Sequence, residues 1–254
     1  MLIAIDIGNS SVNIGFFASA GLFVQRIDAY PLLSHREYLA LINRFIREKN
    51  IDKTPEGIII SSVVPSHTRV FRKAAERLIS RSAMILSHKT KTGLTFDVRN
   101  PEKVGPDRIA NAVAAYELCK CPVAVADFGT ATTVSIVGKD AVFLGGAIMP
   151  GIRLMNESLA SGTSMLFQVP VRTPGSALGK DTTANIQSGL LYGTAGAVEK
   201  ILGEIEKESG FKLKVVVTGG YGALVSNLLK KRHKLKPHLT LEGLEIIYKR
   251  NLDA

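Results

Sequence analysis

Short apolar runs closed by an acid and a glycine punctuate the chain, and longer stretches between them carry apolar residues at helical spacing. The opening run Leu2-Ile3-Ala4-Ile5 ends in Asp6-Ile7-Gly8-Asn9-Ser10 and resumes over Val12 to Phe17. Two such runs around a polar, glycine-containing break predict a β-hairpin. Val123-Ala124-Val125-Ala126 ends in Asp127-Phe128-Gly129-Thr130 and resumes over Val134 to Val137, so the same unit is used twice, about half the chain apart. Ser34 and Glu37 form a capping box ahead of a helical face of Tyr38, Leu39, Leu41, Ile42, Phe45 and Ile46. Ile58 to Val64 reads as a buried strand stopped by Pro65. Val70, Phe71, Ala74, Ala75, Leu78 and Ile79 mark the next helix. A third helix is expected from Pro106 to about Leu118, because proline is favoured in a first turn.

The second half follows the same rhythm. A strand is expected at Ala141 to Leu144 before Gly145-Gly146, then a helical stretch after Gly151 and a long helix from about Ala184 to Lys207. Val215 to Thr218 is a strand ending at Gly219-Gly220, followed by a helix through Leu229. Strands alternating with helices predict an α/β fold whose sheets are covered by helices. No linker rich in proline or serine divides the chain, and the boundary is expected near Cys119 to Pro122, giving domains 1–119 and 120–254. The last helix, Leu241 to Asn251, is assigned to neither.

At 254 residues, with 46% apolar and 21% charged residues, the composition is that of a globular protein. A chain of this size buries roughly 70% of its unfolded surface. Cys119 and Cys121 are too few for a disulfide framework or a zinc site, which points to a reducing compartment. The uncharged run Ile7 to Gln25 carries Asn9, Ser10, Ser11, Asn13 and Ser19, too polar to span a membrane, and the first charged residue is Asp6 rather than a cation. A cytoplasmic address is expected. The net charge of +10 favours anionic partners, nucleotide phosphates among them. Part of it is one run, Lys230 to Lys236. A solvated helix end is preferred there over a nucleic-acid patch, since no aromatic residues interleave it.

The acidic turns carry the candidate chemistry. Gly8 lets phosphate approach backbone N–H groups, Asp6 can face a hydrated Mg²⁺, and Asn9, Ser10 and Ser11 can donate to phosphate oxygens. One such turn alone is an ordinary hairpin; two in corresponding places favour function. In the second copy Thr130, Thr132 and Thr133 could donate to phosphates while Asp127 faces a cation. Gly105-Pro106-Asp107-Arg108 opens a helix. Asp107 is either a cap and dipole partner or a general base, with Arg108 gripping an anion. The five histidines have no metal-ligand spacing. Neither a G-x-x-x-x-G-K-[ST] loop nor a G-x-G-x-x-G turn after a strand occurs.

Two Asp-x-Gly hairpins and a strand-terminal Gly219-Gly220 resemble the actin-like ATPase and sugar kinase superfamily. That resemblance implies two ribonuclease-H-like domains with ATP in the interdomain cleft. Within the superfamily, Asp6 to Ser10, Gly105 to Arg108, Asp127 to Thr133 and Gly145 to Gly151, in this order, are similar to type III pantothenate kinases. The resemblance implies ATP-dependent phosphorylation of pantothenate to 4'-phosphopantothenate, opening coenzyme A synthesis. It implies that Asp6, Ile7, Gly8, Asn9, Ser10, Ser11, Val12 and Asn13 form the first phosphate loop and that Thr130 contacts ATP. By the same resemblance Asp127 binds a monovalent cation, K⁺ or NH₄⁺, beside Mg²⁺. Asp107 is the catalytic base, Gly105, Pro106, Asp107, Arg108 and Thr182 contact pantothenate, and the protein is a homodimer. The family often has a tyrosine seven residues before the glycine of Gly-x-Asp-Arg; Val98 stands there, with Phe96 nearby.

Val98 keeps open an actin-like kinase for another small hydroxylated substrate. The basic run keeps open a non-enzymatic nucleotide- or nucleic-acid-binding protein.

Overall fold

In the computed structural model, which describes residues 1–51, 54–79 and 81–252, the opening acidic hairpin is β1 (Leu2–Ile7) and β2 (Ser11–Ala18). It continues into β3 (Gly21–Asp28), then α1 (His35–Glu48), β4 (Gly57–Ser62), α2 (Pro65–Ile79) and the short β5 (Met84–Ile85). The capping box forms as the sequence requires: the Ser34 hydroxyl accepts from the Glu37 N–H, and the Glu37 carboxylate accepts from the Ser34 N–H at 2.7 Å. The sheet order is β3-β2-β1-β4-β5, with β1, β2 and β3 antiparallel and β4 and β5 parallel to β1. Ile3, Ile5, Ile14, Phe16, Ile58 and Ile60 from the sheet pack with Tyr38, Ile42 and Phe71 from the helices into one core.

After α3 (Pro106–Cys119) and a two-residue strand β6 (Thr95–Phe96) that precedes it in the chain, the pattern repeats. β7 (Val123–Phe128), β8 (Ala131–Val137) and β9 (Val142–Pro150) are antiparallel. They are followed by α4 (Ile152–Gly162), α5 (Thr182–Ser209), β10 (Lys214–Thr218), α6 (Gly222–Ser226) and β11 (His233–Leu235). The order β11-β10-β7-β8-β9-β6 is the first sheet's order read from the other edge, plus β6. The repeat is therefore one of topology, not only of a hairpin. A separate core gathers Ala124, Phe128, Ile136, Leu191, Val198, Val215 and Val217.

By contacts the chain divides into one unit of Met1–Gly93, Arg99–Ala114 and the stretch from Thr240, and another of Leu94–Val98 and Ala115–Leu239. The final helix, α7 (Leu239–Arg250), returns to the first unit. Leu241 packs over Gly15, Gly243 lies against the Ala110 backbone, and the Tyr248 hydroxyl fills the space beside Gly57. Arg250 donates to the Thr92 carbonyl, and the Asn251 side chain donates to the Lys91 carbonyl at 2.9 Å.

Three local expectations change, the first being the helix expected through Leu229, which spans only Gly222–Ser226. The strand expected to end at Leu144 runs on to Pro150, because Gly145 (φ 99°) and Gly146 (φ 144°) form an irregularity within β9 rather than a turn that ends it. The basic run is not a helix end. His233–Leu235 is an edge strand, where lysine beside unpaired backbone opposes strand addition by another chain. No helix among the described residues is long and apolar enough to cross a membrane.

Candidate active site

Asp6 is the penultimate residue of β1, and the register sets it opposite Asn13 on one side and Ser61 on the other. The three side chains share one face of the sheet, because opposed residues in paired strands point the same way. Ser61 is fully buried, and its hydroxyl donates to Asp6 Oδ1 at 3.0 Å, which fixes the carboxylate's direction. The Gly8 N–H donates to the Ser11 carbonyl at 3.0 Å, closing the turn, and Asn9 stands exposed at its tip. Ile7 and Val12 turn their side chains into the core. Within the loop Asp6 to Asn13, these two can meet a ligand only through backbone.

Asp107 sits in the first turn of α3, behind Pro106 and a 3₁₀ turn at Pro101–Lys103. The Gly105 carbonyl accepts the Ile109 N–H, and Asp107 Oδ1 accepts the Arg108 N–H at 2.8 Å. Burial, the largest influence, raises the Asp107 pKa above the ordinary carboxylate value; the Arg108 N–H and the Arg108 charge pull the other way. Burial lowers the Arg108 pKa, and the Asp107 charge opposes that. Gly105, Pro106, Asp107 and Arg108 are thus one half-buried cluster at a helix N-terminus. Its acid is more basic than a surface aspartate and lies where the helix dipole favours an anion.

The second unit rebuilds the first arrangement. Asp127 is the penultimate residue of β7, opposite Thr133 and Thr218. Thr218 ends the fourth strand of its sheet as Ser61 nears the end of the fourth strand of the other, so each acid has a hydroxyl residue at the same topological place. The Asp127 carboxylate lies in a glycine cradle. A Cβ on Gly129 would lie 3.4 Å from Oδ1, and one on Gly219 (φ 92°) would lie 2.5 Å from it and within 2.6 Å of the Phe128 backbone. The Thr130 carbonyl accepts the Gly151 N–H at 3.2 Å, which ties the loop to the start of α4. Of the three hydroxyls expected to face phosphate, that of Thr132 does not. The pleat puts it on the face of Val134 and Ile136, fully buried and without a hydrogen-bond partner, while Thr133 shares the Asp127 face.

Thr182 is the first residue of α5, behind Asp181, whose carboxylate accepts the Ala184 N–H at 2.8 Å. It lines a cavity of about 810 Å³ between α4 and α5 with Met155, Leu159, Asn185, Ile186 and Leu190. The loop that leads there is clamped: Asn156 exchanges two hydrogen bonds with the Val169 backbone, and Ser188 donates to the Ala177 carbonyl at 2.6 Å.

The structure thus groups Asp6 with Asn13 and Ser61, Asp107 with Gly105 and Arg108, and Asp127 with Thr133 and Thr218. Thr182 lies in a cavity of its own unit. Ser61 escapes a reading of motifs, and Thr218 enters one only as the end of the strand before Gly219-Gly220, although each is the polar end of an apolar strand run. Cys119 is half-buried, with burial raising its thiol pKa, which makes it a poor nucleophile. No group of three His, Cys, Asp or Glu among the described residues could hold a metal unaided.

A family model described as type III pantothenate kinase matches residues 2–204. A protein of Myxococcus xanthus named type III pantothenate kinase is 39% identical over 253 residues, covering 99% of each chain. One of the same name from Moorella thermoacetica is 36% identical, covering 99% of this chain and all of its own. Among solved structures, the activator of 2-hydroxyisocaproyl-CoA dehydratase from Clostridium difficile with bound ADPNP superposes with a TM-score of 0.56 at 9% identity. It covers all of this chain and 97% of its own. A ROK family glucokinase from Streptomyces griseus in complex with glucose and AMPPNP gives 0.51 at 11%, covering 98% and 99%. These two likenesses carry the fold, that of the actin-like ATPases and sugar kinases.

Proposed function

The chain belongs to the type III pantothenate kinase family, whose reaction is ATP-dependent phosphorylation of pantothenate in coenzyme A synthesis, and we propose that Asp107 is its catalytic base. The observation that carries this assignment is the half-buried Asp107 carboxylate at the start of α3, which accepts the Arg108 N–H and is raised in basicity by desolvation. The hydroxyl oxygen of pantothenate forms a bond to the γ-phosphorus and loses its proton to Asp107. The bond from that phosphorus to the bridging oxygen breaks, and ADP leaves with the electron pair. A loose transition state makes the hydroxyl acidic late, so a modestly basic carboxylate suffices. Arg108 holds the pantothenate carboxylate as a fork, and Gly105 and Pro106 shape the place where the chain lies.

The turn Gly8 to Asn13 receives phosphate through backbone N–H groups, with Asn9, Ser10 and Ser11 as side-chain donors, and Thr130 contacts the nucleotide from the second unit's loop. The Asp6 carboxylate, aimed by Ser61, suits a Mg²⁺ ion. Its donors are oxygen, and since no group of three acids, histidines or cysteines stands among the described residues, such an ion would take the rest of its ligands from phosphate and water. When bound, Mg²⁺ neutralises charge on the β- and γ-phosphates. The glycine cradle around Asp127 fits a second, monovalent cation, K⁺ or NH₄⁺. Thr182 supplies a substrate contact.

The active protein is a homodimer in this reading. Met165 is 87% exposed and Leu178 69%, both in the connection between α4 and α5, the helices that line the apolar cavity, and a second copy would cover them.

An ADP-release assay with pantothenate and Mg²⁺ tests the assignment. Turnover must require pantothenate, and Asp107→Asn must lower it about 10²–10⁴-fold; unaltered turnover in that variant removes Asp107 as base.

A further inference from the structure

We infer that His67 is a positioning residue for the first acidic turn, holding the Ser10 backbone in place through Ala29. His67 is the third residue of α2 and is 0% exposed. Its Nε2 lies 2.6 Å from the Ala29 carbonyl. A carbonyl only accepts, so Nε2 carries the proton, and Nδ1 is left to accept from the Ser66 hydroxyl at 3.3 Å. The Tyr30 ring meets the imidazole edge-on at a centroid distance of 5.3 Å. Ala29 is itself fully buried, and its N–H donates to the Ser10 carbonyl at 3.1 Å. This bond extends the β2–β3 ladder, whose last pair is Ser11 and Asp28, by one step into the turn.

The opposite limb of the turn is held from the same connection. The Val63 N–H, between β4 and α2, donates to the Ile7 carbonyl at 3.1 Å. The start of α2 therefore grips both sides of the turn, Ile7 through Val63 and Ser10 through His67 and Ala29. An apolar ring would fill the same volume but leave the buried Ala29 carbonyl without a donor, which the chain can relieve only by shifting. A shift at Ala29 is a shift at Ser10.

This inference rests on the reading that the turn Gly8 to Asn13 receives the triphosphate. The test compares His67→Phe, His67→Gln and His67→Asn by steady-state kinetics in ATP and in pantothenate, with thermal melting alongside. His67→Phe is expected to raise the ATP KM about tenfold while the pantothenate KM stays within about twofold. Glutamine, whose amide N–H reaches the Nε2 position, is expected to restore the ATP KM to within about twofold, and the shorter asparagine is not. Should the phenylalanine variant not fold, the glutamine–asparagine pair carries the comparison. An unchanged ATP KM in all folded variants, whatever their melting temperatures, overturns the inference, as does equal impairment by glutamine and asparagine. Asp6→Asn separates the two failures. Unaltered use of ATP in that variant defeats the phosphate-turn reading, while impairment there with normal His67 variants defeats only the role of His67.

Discussion

The carboxylate of Asp107 folds back over Gly105, so that a methyl group at position 105 would collide with Asp107 Oδ1. The glycine is there for its neighbour's side chain, not for an unusual backbone angle. Gly105→Ala is expected to push the carboxylate aside and lower kcat about 10²-fold, because misplacing a reacting group by an ångström costs that much. Melting should change little. Unchanged kcat would show that the acid tolerates displacement.

The raised Asp107 pKa sets the sign of two pH effects. The base works ionised, so turnover falls as pH drops through its folded pKa, an acid limb that lies above the ordinary carboxylate range. The folded protein also binds that proton more tightly than the unfolded chain. Stability from this group is therefore full below the ordinary value and declines as pH rises through the folded one. At neutral pH the ionised group costs stability, and Asp107→Asn should raise the melting temperature by about 2–4 °C per kcal/mol recovered. The same change should remove about 10²–10⁴-fold of the turnover. Melting curves and pH–rate profiles of the two proteins check both signs.

Ser61 aims the Asp6 carboxylate, and Ser61→Ala removes the 3.0 Å hydrogen bond. The KM for Mg·ATP is expected to rise about fivefold, the value of one such bond. Ser61→Thr keeps the hydroxyl and suits a strand, so it should recover most of the loss. Titrating Mg²⁺ at fixed ATP distinguishes a lost orientation of Asp6 from general damage.

At Gly219 the backbone is in the left-handed region and the place of a Cβ is taken by Asp127 and the Phe128 backbone. Gly219→Ala should destabilise the protein by about 2 kcal/mol. If Asp127 holds the monovalent cation, the K⁺ needed for half-maximal rate should rise as well. A melting scan and a K⁺ titration report the two effects separately.

Self-association through the α4–α5 face predicts that Met165→Asp with Leu178→Asp yields a monomer by light scattering. Wild-type protein at the same concentration should remain a dimer. A monomeric wild type sinks the dimer reading outright.

What the sequence made legible follows from where each signal resides. Both acidic hairpins and the capped helix α1 are local: adjacent residues carry the alternation, the turn and the cap. β11 is not legible, because an edge strand of His233, Lys234 and Leu235 buries too little to need an apolar pattern. The full length of β9 is not legible either, because its glycine pair reads as a turn until the neighbouring strand is in place. The site divides the same way. Asp6 and Asp127 announce themselves by repetition, but Ser61 and Thr218 reach them only through parallel pairing between strands distant in the chain. His67 was one of five histidines without spacing, and only the fold sets its ring against Ala29. The placement of α7 depends on Tyr248 and Arg250 finding Gly57 and Thr92, which no local pattern encodes.

The return of α7 to the first unit also bears on how the polypeptide is made. Strands β1 to β5 are made before the whole of the second unit, yet the surface around Gly15, Gly57 and Ala110 stays uncovered until Leu241, Gly243 and Tyr248 have followed that unit off the ribosome. The half that is synthesised first is thus finished last. A nascent chain stalled before residue 239 would present an open apolar flank to chaperones, even with its own sheet already formed.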